Sequence, residues 1–138
     1  MTNKEIASKF NLLGKIMELH GENQFKTKSY ANTYLTLRKL PDNLKDMDAT
    51  QISNISGIGK AISAKIIELL DTGEMQTLNK YLDITPPGII QMLGIKGFGP
   101  KKIAVIWKEL NIETIGELLY AVNENRLVAL KGFGAKTQ

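Results

Sequence analysis

Cysteine is absent from the 138 residues, which excludes disulfide staples and thiolate metal sites and makes a reducing, cytoplasmic setting the expectation. Histidine occurs once, as His20, so it has no imidazole companion for a metal site and is expected at a helix end. No apolar run approaches the roughly 20 residues that span a bilayer, so no membrane role is expected. Met1 through Phe10 is polar and charged where a signal peptide needs an apolar stretch. Nor does any segment alternate apolar and polar residues long enough to read as a strand. Arginine is scarce: Arg38 and Arg126 stand alone, so nearly all the positive charge is lysine. Lysine is a flexible point charge suited to phosphate, whereas reading base edges relies on the planar guanidinium fork. With a net charge of +4, that balance points to an anionic partner bound without sequence preference.

What remains reads as helix. Thr2-Asn3-Lys4-Glu5 has the form of a capping box, and Ile6, Phe10, Leu13 and Met17 recur at helical spacing as far as His20, with Gly21 as the stop. A second helix is predicted from Gln24 to Arg38, with Phe25, Tyr30, Tyr34 and Leu37 as its apolar positions and Pro41 beyond its end. Asp48-Ala49-Thr50-Gln51 suits the cap of a short third helix ending near Asn54. An amphipathic helix then runs to Asp71, closed at Gly73. Pro86-Pro87 opens another that ends near Leu93, and a further helix runs through Leu110. Short helices are predicted over Ile115 to Ala121 and Glu124 to Leu130. Trp107 and Tyr120 fall at core spacing. The fold class is all-α, in two small helical lobes.

An internal repeat lies between these helices. Ile55-Ser56-Gly57-Ile58-Gly59-Lys60, Ile95-Lys96-Gly97-Phe98-Gly99-Pro100 and Leu130-Lys131-Gly132-Phe133-Gly134-Ala135 share apolar-x-Gly-apolar-Gly after a short apolar helix. Turning two helices within about four residues needs backbone angles that glycine supplies. Bare backbone admits a ligand closely, and the next helix offers unpaired N–H groups and the positive end of its dipole. Together these form a phosphate cradle. Lys60, Lys96, Lys101, Lys102 and Lys131 sit on or beside the turns. A dinucleotide site is disfavoured, because no strand precedes Gly-x-Gly and no third glycine follows at the required spacing.

These turns resemble the helix-hairpin-helix motif. The whole chain is similar to the N-terminal region of bacterial family X DNA polymerases, through the Gly21-Glu22-Asn23 stretch with Phe25 and Lys26, Tyr30, the first hairpin, and Leu70-Asp71-Thr72-Gly73. The resemblance implies a DNA-end-binding domain over residues 1–84 and a second hairpin subdomain over 85–138, with the boundary near Thr85-Pro86-Pro87. The third repeat reaches Gln138 before its second helix, so a longer protein is expected, continuing into polymerase and phosphoesterase domains. Carried over by residue, Lys26, Tyr30 and Lys60 would hold a 5′-phosphate at a gap or nick, and Phe25 would stack on a base or sugar. Lys96, Gly97, Gly99, Lys101 and Lys102 would grip the duplex beyond it. No cofactor is required, but a K⁺ or Na⁺ at the hairpins is implied, held by the carbonyls of Ser53, Ile55 and Ile58 and of Leu93, Ile95 and Phe98. The chain is expected to be a monomer.

Two features bear on chemistry. Asp46-Met47-Asp48 superficially matches a two-metal carboxylate pair, but such a pair belongs on a rigid strand with a third carboxylate, and a loop leading to a capped helix fits better. No polymerase activity is expected. Lys65 matches the lysine that forms a Schiff base with the sugar aldehyde in relatives with 5′-deoxyribose phosphate lyase activity. Ala64 stands where those relatives carry glutamate, and Glu68, three residues on, offers Lys65 an ordinary ion pair. DNA-end binding, the lyase, and a helical protein-interaction module therefore all remain open.

Overall fold

The computed structural model describes residues 1–95 and 99–123. The helices are α1 (Asn3–Leu19), α2 (Gln24–Lys39), α3 (Ala49–Ser53), α4 (Lys60–Thr72), α5 (Gln76–Asp83), α6 (Pro87–Met92), α7 (Pro100–Leu110) and α8 (Ile115–Asn123), with a 3-10 turn at Leu44–Asp46. No strand occurs among the described residues. The all-α expectation holds. The helix predicted over Glu124 to Leu130 and the third glycine turn, including Lys131, lie outside the described residues.

Local signals account for most helix ends. The Thr2 side chain accepts the Glu5 N–H while the Glu5 carboxylate accepts the Thr2 N–H, a complete capping box that starts α1. Asn23 caps α2 by accepting the Phe25 N–H at 2.7 Å. Asp48 and Gln51 form a second reciprocal box at α3. Gly21 and Gly73 turn with positive φ where helices were expected to stop.

α1 and α2 form an antiparallel pair, and α1 is the spine of the molecule because α5 and α7 pack on it as well. Ile6, Phe10, Leu13 and Ile16 of α1 are completely buried, against Leu37 of α2, Ile66 and Leu69 of α4, and Leu78 of α5. The same apolar cluster continues into Ile89, Met92, Ile103 and Ile106 of α6 and α7. Asn3 ties the loop after α2 back to the start of α1: its amide donates to the Asp42 carbonyl at 2.7 Å and its oxygen accepts the Leu44 N–H at 2.9 Å.

Two expectations need correction, and one helix was not anticipated. Phe25 does not pack as an apolar position of α2; its ring is 85% exposed, because it falls away from the buried stripe of Thr27, Tyr30, Thr33 and Leu37. Tyr120 is 61% exposed rather than core, whereas Trp107 is half-buried as its spacing implied. α5 lacked any sequence signal of a start. No side chain caps it at Met75, and what holds it is the burial of Met75 and Leu78 together with a carboxylate from α4, as Glu68 accepts the Gln76 N–H at 3.0 Å.

Candidate nucleic-acid interface

The first Gly-x-Gly turn joins α3 to α4. The Ile58 N–H closes it on the Ile55 carbonyl at 3.0 Å, and Ile58, 6% exposed, pins it to the core. Gly57 has φ +86°, a left-handed conformation that side chains rarely adopt. Gly59 differs. Its φ of −86° and ψ of 177° are ordinary extended backbone, and a Cβ built there would meet nothing within 4 Å. Folding does not require that glycine, but close approach of a ligand would.

Gly59 is the N-cap of α4, and no side chain caps the helix. The first backbone bond of the helix runs from the Ser63 N–H to the Gly59 carbonyl at 2.9 Å. The amides of Lys60, Ala61 and Ile62 therefore point out of the helix start with its positive dipole end. They face an open cleft of about 310 Å³ lined by Lys26, Ser29, Tyr30, Gly57, Gly59, Lys60, Ala61 and Ile62. α2 supplies the opposite wall. Tyr30 is largely a packing residue, its ring 6.1 Å from that of Phe10, with its remaining surface on the cleft. Lys26 and Lys60 are exposed there, and no carboxylate is among the lining residues.

Five residues singled out by sequence thus meet in one place: Lys26 and Tyr30 from α2, with Gly57, Gly59 and Lys60 from the hairpin. Ser29, Ala61 and Ile62 join them unanticipated. Ser29 lies one turn beyond Lys26 at helical spacing, and Ala61 and Ile62 contribute through main chain, which residue type does not advertise. Phe25 sits one residue from Lys26, exposed, but does not line the cleft.

Lys65 is half-buried on α4, one turn beyond Ala61 and Ile62 and off the cleft lining. Glu68 is turned to the start of α5, where it accepts the Gln76 N–H, rather than serving as a simple ion-pair partner for Lys65. Asp46 ends the 3-10 turn and Asp48 is committed to capping α3, its carboxylate accepting the Gln51 N–H at 2.8 Å.

The second hairpin is described at Ile95 and again from Gly99 onward, so Lys96, Gly97 and Phe98 lie outside the described residues. Gly99 repeats Gly59: extended, exposed, uncapped by any side chain, with nothing near a built Cβ. Lys101 is exposed on a wider groove of about 610 Å³ that it shares with Glu18, Glu22 and Lys28. That groove is mixed in charge where the first cleft is not. Lys102 is half-buried. For a hairpin cation, the donors would be neutral carbonyl oxygens, a set that suits a hard monovalent ion. Of these, Ile55 already accepts the Ile58 N–H and has one lone pair left.

No helix among the described residues is long and apolar enough to cross a membrane. The family model "Helix-hairpin-helix domain" matches residues 1–75, and "SAM-like Helix-hairpin-helix tandem" matches residues 89–137. The chain is 32% identical over all its 138 residues to the DNA polymerase/3'-5' exonuclease PolX of Bacillus subtilis (strain 168), and spans 24% of that protein, at its N-terminus. The chain belongs to the helix-hairpin-helix domain family, and its relationship is to the N-terminal region of the family X DNA polymerases.

Proposed function

We propose that the chain binds gapped or nicked DNA through the phosphate backbone, without sequence preference, as the N-terminal part of a gap-repair polymerase. One observation carries this reading: Lys26, Lys60 and the uncapped start of α4 converge on a cleft with no carboxylate in its lining. Such a cleft favours a terminal phosphate, with Lys26 and Lys60 as charges, the Lys60, Ala61 and Ile62 amides as donors, and Tyr30 as a wall. In the same reading residues 85–138 act as a second unit that grips the duplex through Gly97, Gly99, Lys101 and Lys102. A K⁺ or Na⁺ held by the hairpin carbonyls would add positive charge at each turn.

Anisotropy titration of fluorescent gapped DNA, with and without a 5′-phosphate, tests the reading. Affinity is expected to fall with salt by about 0.9 log units per log unit for each phosphate neutralised. Lys26→Glu with Lys60→Glu should flatten that slope and erase the preference for a 5′-phosphate. Weak, salt-insensitive binding by the wild type would favour a protein-interaction module instead.

A second reading, 5′-deoxyribose phosphate lyase, is favoured by the engagement of Glu68 with α5, which leaves Lys65 without its obvious helical ion-pair partner. The Lys65 amine would add to the sugar aldehyde and lose water to form an imine. Borohydride would trap that imine as an amine, and Lys65→Ala should abolish the adduct.

A further inference from the structure

One imidazole lies among the contacts that seat α7 on the first helices. His20 closes α1, its N–H bonded to the Ile16 carbonyl at 3.1 Å. Its ring lies 5.7 Å from that of Tyr81 on α5, and 5.7 Å from that of Trp107 on α7, edge-on at 84°. Nε2 is 2.8 Å from the hydroxyl oxygen of Thr85, a buried residue in the turn between α5 and α6. That hydroxyl also donates to the Tyr81 carbonyl. A carbonyl can only accept, so the one hydroxyl hydrogen is committed there and the oxygen must accept from the ring. Nε2 therefore carries a hydrogen, and Nδ1 is the atom left to titrate.

We propose that His20 is the positioning residue that holds α7, and with it the second hairpin, in register with the phosphate cleft of the first. The proposal rests on the DNA-binding reading above, since register matters only when both hairpins engage one DNA. Two linked grips reinforce each other only where geometry lets both act at once. The charged and titratable groups facing the ring are Lys108 of α7, Glu22 of the α1–α2 turn and Tyr81 of α5. Burial, then the Lys108 ammonium, holds the imidazole below its ordinary value against the opposing pull of Glu22. Burial and the neighbouring Glu22 carboxylate raise the Tyr81 phenol, which stays neutral. A proton on Nδ1 would place a second cation beside Lys108 and loosen the seat of α7.

The test compares two probes on the full chain: a 5′-phosphorylated gapped duplex long enough for both hairpins, and a short 5′-phosphorylated single strand that only the first cleft can hold. The wild type should prefer the gapped duplex, and His20→Ala should lose about tenfold of that preference while still binding the short strand. Thr85→Val, which removes the acceptor at matched shape, should do the same, with thermal melts confirming that both variants fold. His20→Gln keeps an N–H donor at the reach of Nε2 but cannot titrate. It should retain the preference as pH falls through the lowered value of the folded imidazole, where the wild type loses it. A wild type that binds neither probe overturns the DNA-binding reading and this proposal with it. A wild type that prefers the gapped duplex, alongside a His20→Ala variant with an undiminished preference, overturns the positioning role alone. So does a His20→Gln variant that fails as completely as alanine.

Discussion

Replacing Gly59 by alanine should separate folding from binding. Gly59 has φ −86° and ψ 177°, and a Cβ there meets nothing within 4 Å, so the native backbone accepts alanine without strain. Lower entropy of the unfolded chain favours the variant by about 0.4–1 kcal/mol, and the poorer fit of alanine to the N-cap position offsets about as much, so Tm should move by no more than about 3 °C. The methyl group, however, would stand in the cleft beside the Lys60, Ala61 and Ile62 amides. Displacing a phosphate from one charge-assisted amide bond costs about 1.5–3 kcal/mol, or about tenfold to a hundredfold in affinity. Gly57→Ala provides the contrast. Its φ of +86° makes alanine cost about 1–2 kcal/mol, although the nearest neighbour of the new Cβ, Thr36 Oγ1, is a harmless 3.9 Å away. Thermal denaturation and anisotropy with 5′-phosphorylated gapped DNA read the two effects independently. If Gly59→Ala melts as early as Gly57→Ala, or binds DNA as tightly as the wild type, the idea that this glycine serves the ligand rather than the turn is wrong.

Gly88→Ala should be among the most damaging single methyl additions, because its Cβ would be built 1.9 Å from the Glu113 carbonyl oxygen, a backbone atom with little freedom to move. A loss of about 1–3 kcal/mol or more is expected in urea denaturation, and an unchanged midpoint would contradict the close packing of α6 on the segment before α8. Phe25→Ala should leave the melting temperature within error, its ring being 85% exposed, yet weaken binding to a single-stranded gap by about 1–3 kcal/mol if the ring stacks on a base. For pH, the folded imidazole of His20 is held below its ordinary 6.5 by burial and Lys108, so the unfolded chain takes up its proton first. That contribution to stability is complete above about pH 6.5 and declines as pH falls through the folded value. His20→Gln should remove this part of the decline, as seen in melts between about pH 8 and pH 5.5.

Helix starts and stops were legible in the sequence wherever a side chain or a glycine performs the capping. Thr2 with Glu5, Asp48 with Gln51, Gly21 and Gly73 all act locally, so residue type reports them directly. α5 was illegible because its support comes from elsewhere: a Glu68 carboxylate eight residues back and a core that buries Met75 and Leu78. Helical spacing alone could not distinguish Phe25 and Tyr120 from true core positions, since which turn of a helix meets a neighbour depends on packing angles set by other elements. The cleft residues were partly legible for the same reason. Lys26, Tyr30 and Lys60 carry recognisable side chains, whereas Ala61 and Ile62 contribute amides that any residue would possess. Likewise, nothing in the sequence joined His20 to Thr85, which are 65 positions apart.

The two hairpins are built alike but are not equivalent, and the difference follows from one residue. α4 begins with Lys60, α7 with Pro100. Proline fits the first turn of a helix because its missing N–H would be unpaired there in any case, but an unpaired N–H is what a phosphate cradle uses. The start of α7 therefore presents no N–H at the position where α4 presents that of Lys60. Lys101, moreover, shares its groove with Glu18 and Glu22, while the first cleft is lined by no acid. A site with more donors and uniform charge suits a doubly charged terminal phosphate, and a site with fewer donors and mixed charge suits the singly charged phosphates of a continuing strand. Within the proposed DNA-binding reading, this asymmetry would match the first hairpin to the DNA end and the second to the duplex. Pro100→Ala should then strengthen duplex binding by the second hairpin while leaving the 5′-phosphate preference of the first untouched. Equal sensitivity of both to that substitution would remove the basis for dividing the labour between them.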